Sequence, residues 1–253
     1  MVYFSAMGGL WRRFWGAVAF YTILPVPAEA EVAQVAVWAP LIGLLLGGFL
    51  DLVDCILAPM PLLPRSGLLV AVGLWLTGGL HLDGVMDTAD GLAVTQPERR
   101  LAVMRDSHTG AYGVMAGCLV IVLKIIALAS LPSQRFWLLT GAMGWGRWGQ
   151  VAAIGLYPYL RAEGKGKIHH QEPLPWSWVP GLLLLLAWGG LWWGLTGQRM
   201  APLALTGWGC GLALTVGFWL HRQLGGHTGD TYGAVVEWVE TLCWYAMTLV
   251  LAG

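Results

Sequence analysis

The stretch AYGVMAGCLVIVLKIIALASL, residues 111–131, decides the fold. Crossing a bilayer core takes about 20 predominantly apolar residues in a helix, and Lys124 is the one charge in this run. Working outward, comparable runs occur at 35–57, 67–82, 136–157, 176–197, 200–220 and 233–251. The run at 67–82 is short unless its helix continues into the polar residues that follow. Hydrophobic residues make up 57% of the 253-residue chain and charged residues 11%, with 16 Trp and a mean hydropathy of +0.65. Soluble domains carry about 25% charged residues, so a water-facing globule of this composition would lack the side chains to cover its surface. The expected fold is an all-α polytopic membrane bundle of about seven transmembrane helices, a single domain over residues 1–253. Membrane lipid is then the surrounding partner.

The flanks of this bundle carry further signals. Arg12 and Arg13 precede a short apolar run ending in Ala28-Glu29-Ala30, which has the order of a signal peptide and its cleavage site. Pro25 and Pro27 interrupt that run, and Trp11, Phe14, Trp15, Phe20 and Tyr21 suit a retained helix lying in the membrane interface. The interfacial helix is the expectation. Tyr157, Tyr159, Trp176, Trp178, Trp192 and Trp193 crowd the ends of the later runs, as interfacial belts do. The four cysteines are scattered in apolar stretches and read as small buried thiols. Fourteen basic residues balance fourteen acidic ones, which gives no electrostatic reason to expect a nucleic acid partner.

Loop charges orient the chain. If the segment after the second run faces the cytoplasm, that side receives Arg99, Arg100, Arg105, Arg161, Lys165, Lys167 and Arg222, and the other receives Arg65, Arg135 and Arg199. This asymmetry follows the positive-inside rule. All six histidines fall on or beside the richer side, so chemistry is expected there.

Within residues 78–117, Asp83, Asp87 and Asp90 stand at i, i+4 and i+7, neighbours on one helix face. Like charges so close repel, and a hard divalent cation with oxygen ligands is the usual remedy. Mg²⁺ prefers one or two carboxylates with substrate phosphates and water, so the pattern suits a metal-bound diphosphate. A merely solvated helix face is the alternative. Gly84 and Gly91 beside the acids let a ligand approach the backbone. Arg105 and Asp106 follow as candidates for phosphate contact and a fourth carboxylate, whereas Arg99 and Arg100 serve either phosphate or topology. His81 is either a general base, a role one of the aspartates could also fill, or an ordinary interfacial histidine.

Three other constellations stand out. Arg222, Gly226 and Asp230 belong to a Gly-rich turn entering the last helix, where free N–H groups attract anions. Glu237 and Glu240 lie inside the last run and must face the bundle interior, with Arg147 as partner or as a substrate contact. Asp51 and Asp54 read as interfacial or as a helix end. In the loop after 157, Arg161 is a candidate phosphate contact, and the adjacent His169 and His170 read as solvated.

GGLHLDGVMDTADG at 78–91, followed by RDSHTGAYGV at 105–114, resembles the signature region of the bacterial cobalamin synthase family. FYTILPVP at 20–27, RWGQVAAIGLYPYLRAEGKG at 147–166 and RQLGGHTGDTYGAVVEWVE at 222–240 resemble it as well. The resemblance implies a Mg²⁺-dependent enzyme of the bacterial inner membrane with its active site toward the cytoplasm. It would join adenosylcobinamide-GDP to α-ribazole or its 5′-phosphate and release GMP, with Asp83, Asp87 and Asp90 holding the metal. An oligomer is compatible with this reading. The rival classes are another membrane phosphotransferase, of the CDP-alcohol type, and a proton-coupled transporter.

Overall fold

The computed structural model describes residues 2–161 and 176–251, with side chains from residue 8 onward. Lys165, Lys167, His169 and His170, singled out above, lie outside the described residues. Ten helices and no strand occur among the described residues. They are α1 (Val2–Tyr21), α2 (Val35–Ile56), α3 (Leu62–Leu76), α4 (Leu80–Ala93), α5 (Pro97–Val103), α6 (Ala111–Ala129), α7 (Arg135–Leu156), α8 (Trp178–Thr196), α9 (Met200–Leu224) and α10 (Gly229–Leu251).

Helices α2, α6, α8, α9 and α10 are long and apolar enough to cross a membrane. Leu183, Leu186 and Leu195 on α8 and Leu203 and Phe218 on α9 point outward, as a lipid-facing surface requires. Helix α7 is as long as α2, at 22 residues, or about 33 Å, but falls short in apolarity. Its position explains this. Residues 138–154 are all buried, with α2, α8, α9 and α10 packed around them, so α7 meets protein rather than lipid and can carry Arg147 and Gln150. Its closest neighbour is α2. A Cβ at Gly43 would lie 2.3 Å from the Met143 carbonyl oxygen, and one at Gly47 2.4 Å from the Thr140 Cα. Small residues one turn apart thus bring two backbones together, the usual basis of helix association in lipid.

The run expected at 67–82 is placed differently. Helix α3 starts earlier and stops at Leu76, because Gly78 and Gly79 adopt left-handed φ values of 60° and 69° and turn the chain. Helix α4 leaves at 90° to α3. At 15 residues α3 measures about 22 Å, shorter than a hydrocarbon core. The acidic segment therefore lies across one end of the bundle instead of prolonging a span.

Buried charges lock both the far end and the middle. Asp54, expected at an interface or at a helix end, lies in the last turn of α2 and is buried. It pairs with Arg65 of α3 and with Arg135 of α7, whose Nε lies 2.7 Å from Oδ2. Mid-bundle, Lys124 of α6 reaches Glu237 at 2.5 Å and Glu240 at 2.7 Å, and Arg147 reaches Glu240 at 2.7 Å. Arg147 is thus committed to an internal ion pair. Cys243 is buried as expected, but Cys55 and Cys118 are exposed on the bundle surface. Trp192 leaves the expected belt, buried and stacked on Trp137 with ring planes 3° apart. Helix α1 packs on α2 and buries Ala17 and Tyr21 completely.

Candidate active site

The site forms where α4 crosses the start of α10. Gly84 is the reason the two approach so closely: a Cβ there would lie 2.4 Å from the Asp230 carbonyl oxygen. Gly233 answers from α10, where a Cβ would lie 3.0 Å from the His81 Cα. The crossing sets Asp83 of α4 and Asp230 of α10 around one cavity of about 220 Å³. Arg161, Gln150, Tyr159, Tyr232, Phe20 and His81 complete most of its wall. An open groove of about 620 Å³ runs over the Gly78-Gly79 turn and shares Phe20, Leu80 and Asp83 with the cavity. Asp83 stands at their junction.

The loop after α7 and the turn before α10 are joined by backbone. Leu160 N–H donates to the His227 carbonyl at 2.8 Å, and His227 N–H to the Pro158 carbonyl at 2.9 Å. Gly226 is buried against this segment, where a Cβ would lie 2.5 Å from the Pro158 carbonyl oxygen. The His227 ring is fixed between Thr231 Oγ1 at 3.0 Å and the Gly217 carbonyl at 3.1 Å. This bracing places Arg161, which meets Asp230 at 2.6 Å and donates to the Met104 carbonyl at 3.0 Å.

The three aspartates of α4 differ in surroundings. Asp83 is exposed to the cavity. Asp87 is half-buried, and burial together with the Asp83 and Asp230 carboxylates pushes its carboxyl up to about 7. Asp90 is turned to α6: its two oxygens accept the N–H groups of Gly110 at 2.7 Å and Gly113 at 2.8 Å, satisfying the start of that helix. Among the described residues no group of three His, Cys, Asp or Glu side chains forms a ready metal cage. An open Mg²⁺ site needs less, because substrate phosphate and water supply most ligands. Asp83 and Asp230 beside one cavity, with Asp87 crowded by both, fit that demand.

His81 is buried, and neither ring nitrogen has a hydrogen-bond partner. Burial and the Arg147 and Lys124 cations hold it well below the usual imidazole range, hence neutral. The remaining candidates stand apart from the cavity lining. Arg105 and Arg222 are exposed, and Asp106 sits in an exposed turn accepting the His108 N–H at 3.0 Å. Arg100 ties α5 to the end of α9 by donating to the Gln223 carbonyl at 2.8 Å. Gln150, Tyr159, Tyr232 and Phe20 were not anticipated as site residues. Gln150 carried a signal, a lone amide in an apolar run, and all four lie inside the family-like segments.

Residues 13–248 match the family described as cobalamin-5-phosphate synthase. Adenosylcobinamide-GDP ribazoletransferase from Synechococcus sp. is 48% identical over 95% of this chain and 97% of its own length. The enzyme of that name from Synechocystis sp. is 48% identical over 95% and 99%, and that from Desulfitobacterium hafniense 37% over 91% and 94%. No solved structure matches. Nearly full-length similarity, together with an acidic cavity built by the family-like segments, establishes that the chain belongs to the cobalamin-5-phosphate synthase family.

Proposed function

We propose that this protein is a multi-pass membrane transferase that passes the adenosylcobinamide phosphate of adenosylcobinamide-GDP to α-ribazole or its 5′-phosphate and releases GMP. The observation that carries this reading is the convergence of Asp83 and Asp230 on one cavity, with Arg161 beside them, in a chain of this family. Asp83, Asp87 and Asp230 would hold Mg²⁺, which when bound neutralises diphosphate charge and favours departure of GMP. Asp90 supports them by fixing α4 to α6. A ribazole hydroxyl attacks the phosphorus next to the cobinamide arm, the P–O bond to GMP breaks, and the hydroxyl proton passes to a nearby acceptor. Its exposure to the cavity supports Asp83 as that acceptor. Arg161 supplies a fixed cation toward phosphate oxygens. Catalysis rests on positioning and electrostatics rather than on covalent intermediates.

The exposed Arg99, Arg105 and Arg222 stand at the site end, whereas two of the three far-end arginines are paired to Asp54. This supports a cytoplasm-facing site in the bacterial inner membrane. The test is incubation of protein in lipid nanodiscs with adenosylcobinamide-GDP, α-ribazole and Mg²⁺. GMP and the cobalamin product should appear in equal amounts, and chelation should stop both. Release of neither from folded protein would overturn the assignment.

A further inference from the structure

Two buried polar side chains at the cavity have unmet hydrogen-bonding capacity. His81 is 3% exposed with both ring nitrogens unpartnered. Gln150 is also 3% exposed, its Nε2 lies 3.3 Å from the Tyr21 hydroxyl, and its Oε1 has no partner. Either amide orientation leaves one end of Gln150 open. A buried polar atom left unpaired is destabilising, and two such side chains lining one cavity point to a ligand that satisfies both. Helix α4 brings His81 there and α7 brings Gln150, so the pair does not arise from one local turn.

Resting on the transfer reading above, we infer that this cavity seats the acceptor nucleoside, with His81 and Gln150 hydrogen-bonding its base and ribose at the deep end. The wall chemistry fits. Phe20 and Tyr159, both part-exposed on the wall, offer aromatic surface to a bicyclic base, and Tyr232 is buried and stacked on Tyr159. The unpartnered imidazole nitrogens and an amide end supply hydrogen-bonding groups for a ring nitrogen and sugar hydroxyls. Size separates the two substrates: about 220 Å³ is nucleoside-scale, whereas the bulky corrinoid requires the open groove of about 620 Å³. Asp83, common to both, then lies where acceptor hydroxyl and corrinoid phosphate meet. His81 acts as a positioning residue for the nucleoside, and its neighbour Asp83 faces the reacting atoms.

The experiment has a kinetic arm and a wild-type arm. In nanodisc-embedded protein, Gln150→Leu and His81→Asn should each raise the KM for α-ribazole about tenfold, the equivalent of one lost hydrogen bond. The KM for adenosylcobinamide-GDP should stay within about twofold, the reverse of what general loss of structure would give. In the unsubstituted protein, saturating α-ribazole should slow amide hydrogen exchange in the α4 peptide that carries His81, read by mass spectrometry, and GMP should not. Slowing by GMP alone, or a rise confined to the corrinoid substrate's KM, would overturn the inference while leaving the transfer activity intact. Should both variants unfold, the exchange arm decides. Absence of any transfer by wild-type protein would count against the function instead, and slowed exchange with the nucleoside would still report on the cavity.

Discussion

Arg161, just beyond the end of α7, and Asp230, in the first turn of α10, form an ion pair of 2.6 Å on the wall of the cavity. The pair links the loop after the central helix to the helix that crosses the acidic segment. Arg161 also moderates a local excess of carboxylates, because Asp83, Asp87 and Asp230 all act on the same small volume. Among the described residues it is the one arginine or lysine that lines the cavity.

Replacing Arg161 with Gln should therefore lower kcat by about tenfold to hundredfold, equivalent to roughly 1.5–3 kcal/mol for a charged hydrogen bond. Arg161→Lys should recover only part, since a lysine cannot hold Asp230 and the Met104 carbonyl with one planar fork. Steady-state rates of GMP release check this. Wild-type kcat in Arg161→Gln would remove the residue from the site.

The mid-bundle charges predict a different signature. Lys124→Met leaves Glu237 and Glu240 with Arg147 alone, and should destabilise the protein by about 3–5 kcal/mol. Adding Glu237→Gln removes one of the stranded charges and should restore at least about half of the loss. Equilibrium unfolding in mixed micelles measures both. A single variant as stable as wild type would show that the network contributes little.

The contact between α4 and α6 can be tested at Gly113. An added methyl would lie 2.4 Å from Asp90 Oδ2 and 2.9 Å from the Met86 carbonyl oxygen, so α4 has to move. Gly113→Ala should cost about 1–3 kcal/mol of stability and reduce activity further by shifting Asp83 and Asp87. Melting temperature and turnover, measured together, should both fall. Unchanged values would mean that the α4 position tolerates displacement.

These contacts also show what could be read from residues alone. The helical bundle was legible because runs such as 111–131 are as long as a bilayer is thick. The break at Gly78-Gly79 was not, since a glycine pair permits a 90° turn without requiring it. The spacing of Asp83, Asp87 and Asp90 correctly put them on one face of a helix, yet Asp90's bond to Gly110 depends on how α4 packs against α6. Lys124 read as the one charge in its apolar run and Gln150 drew no reading, because their partners, Glu240 and Tyr21, lie 116 and 129 positions away. Sequence spacing reports on one helix at a time, and the cavity is made by several.

Proton competition gives a pH prediction. Asp87 titrates at about 7 in the cation-free protein because burial and neighbouring carboxylates disfavour its charge. Below that pH a binding cation has to displace a proton, whereas above it the carboxylate is already ionised. The Mg²⁺ concentration for half-maximal rate should therefore rise about tenfold from pH 8 to pH 6. An identical Mg²⁺ requirement at both pH values would exclude Asp87 from the metal site.

The central claim is that the acids at the α4–α10 crossing hold a cation that in turn holds the diphosphate. Mn²⁺ substituted for Mg²⁺, observed by pulsed electron paramagnetic resonance with adenosylcobinamide-GDP bound, tests it most directly. Wild-type protein should show hyperfine coupling between Mn²⁺ and substrate phosphorus, lost in Asp83→Asn and retained in Asp51→Asn, which alters the opposite end of the bundle. Full coupling in both Asp83→Asn and Asp87→Asn would contradict the account.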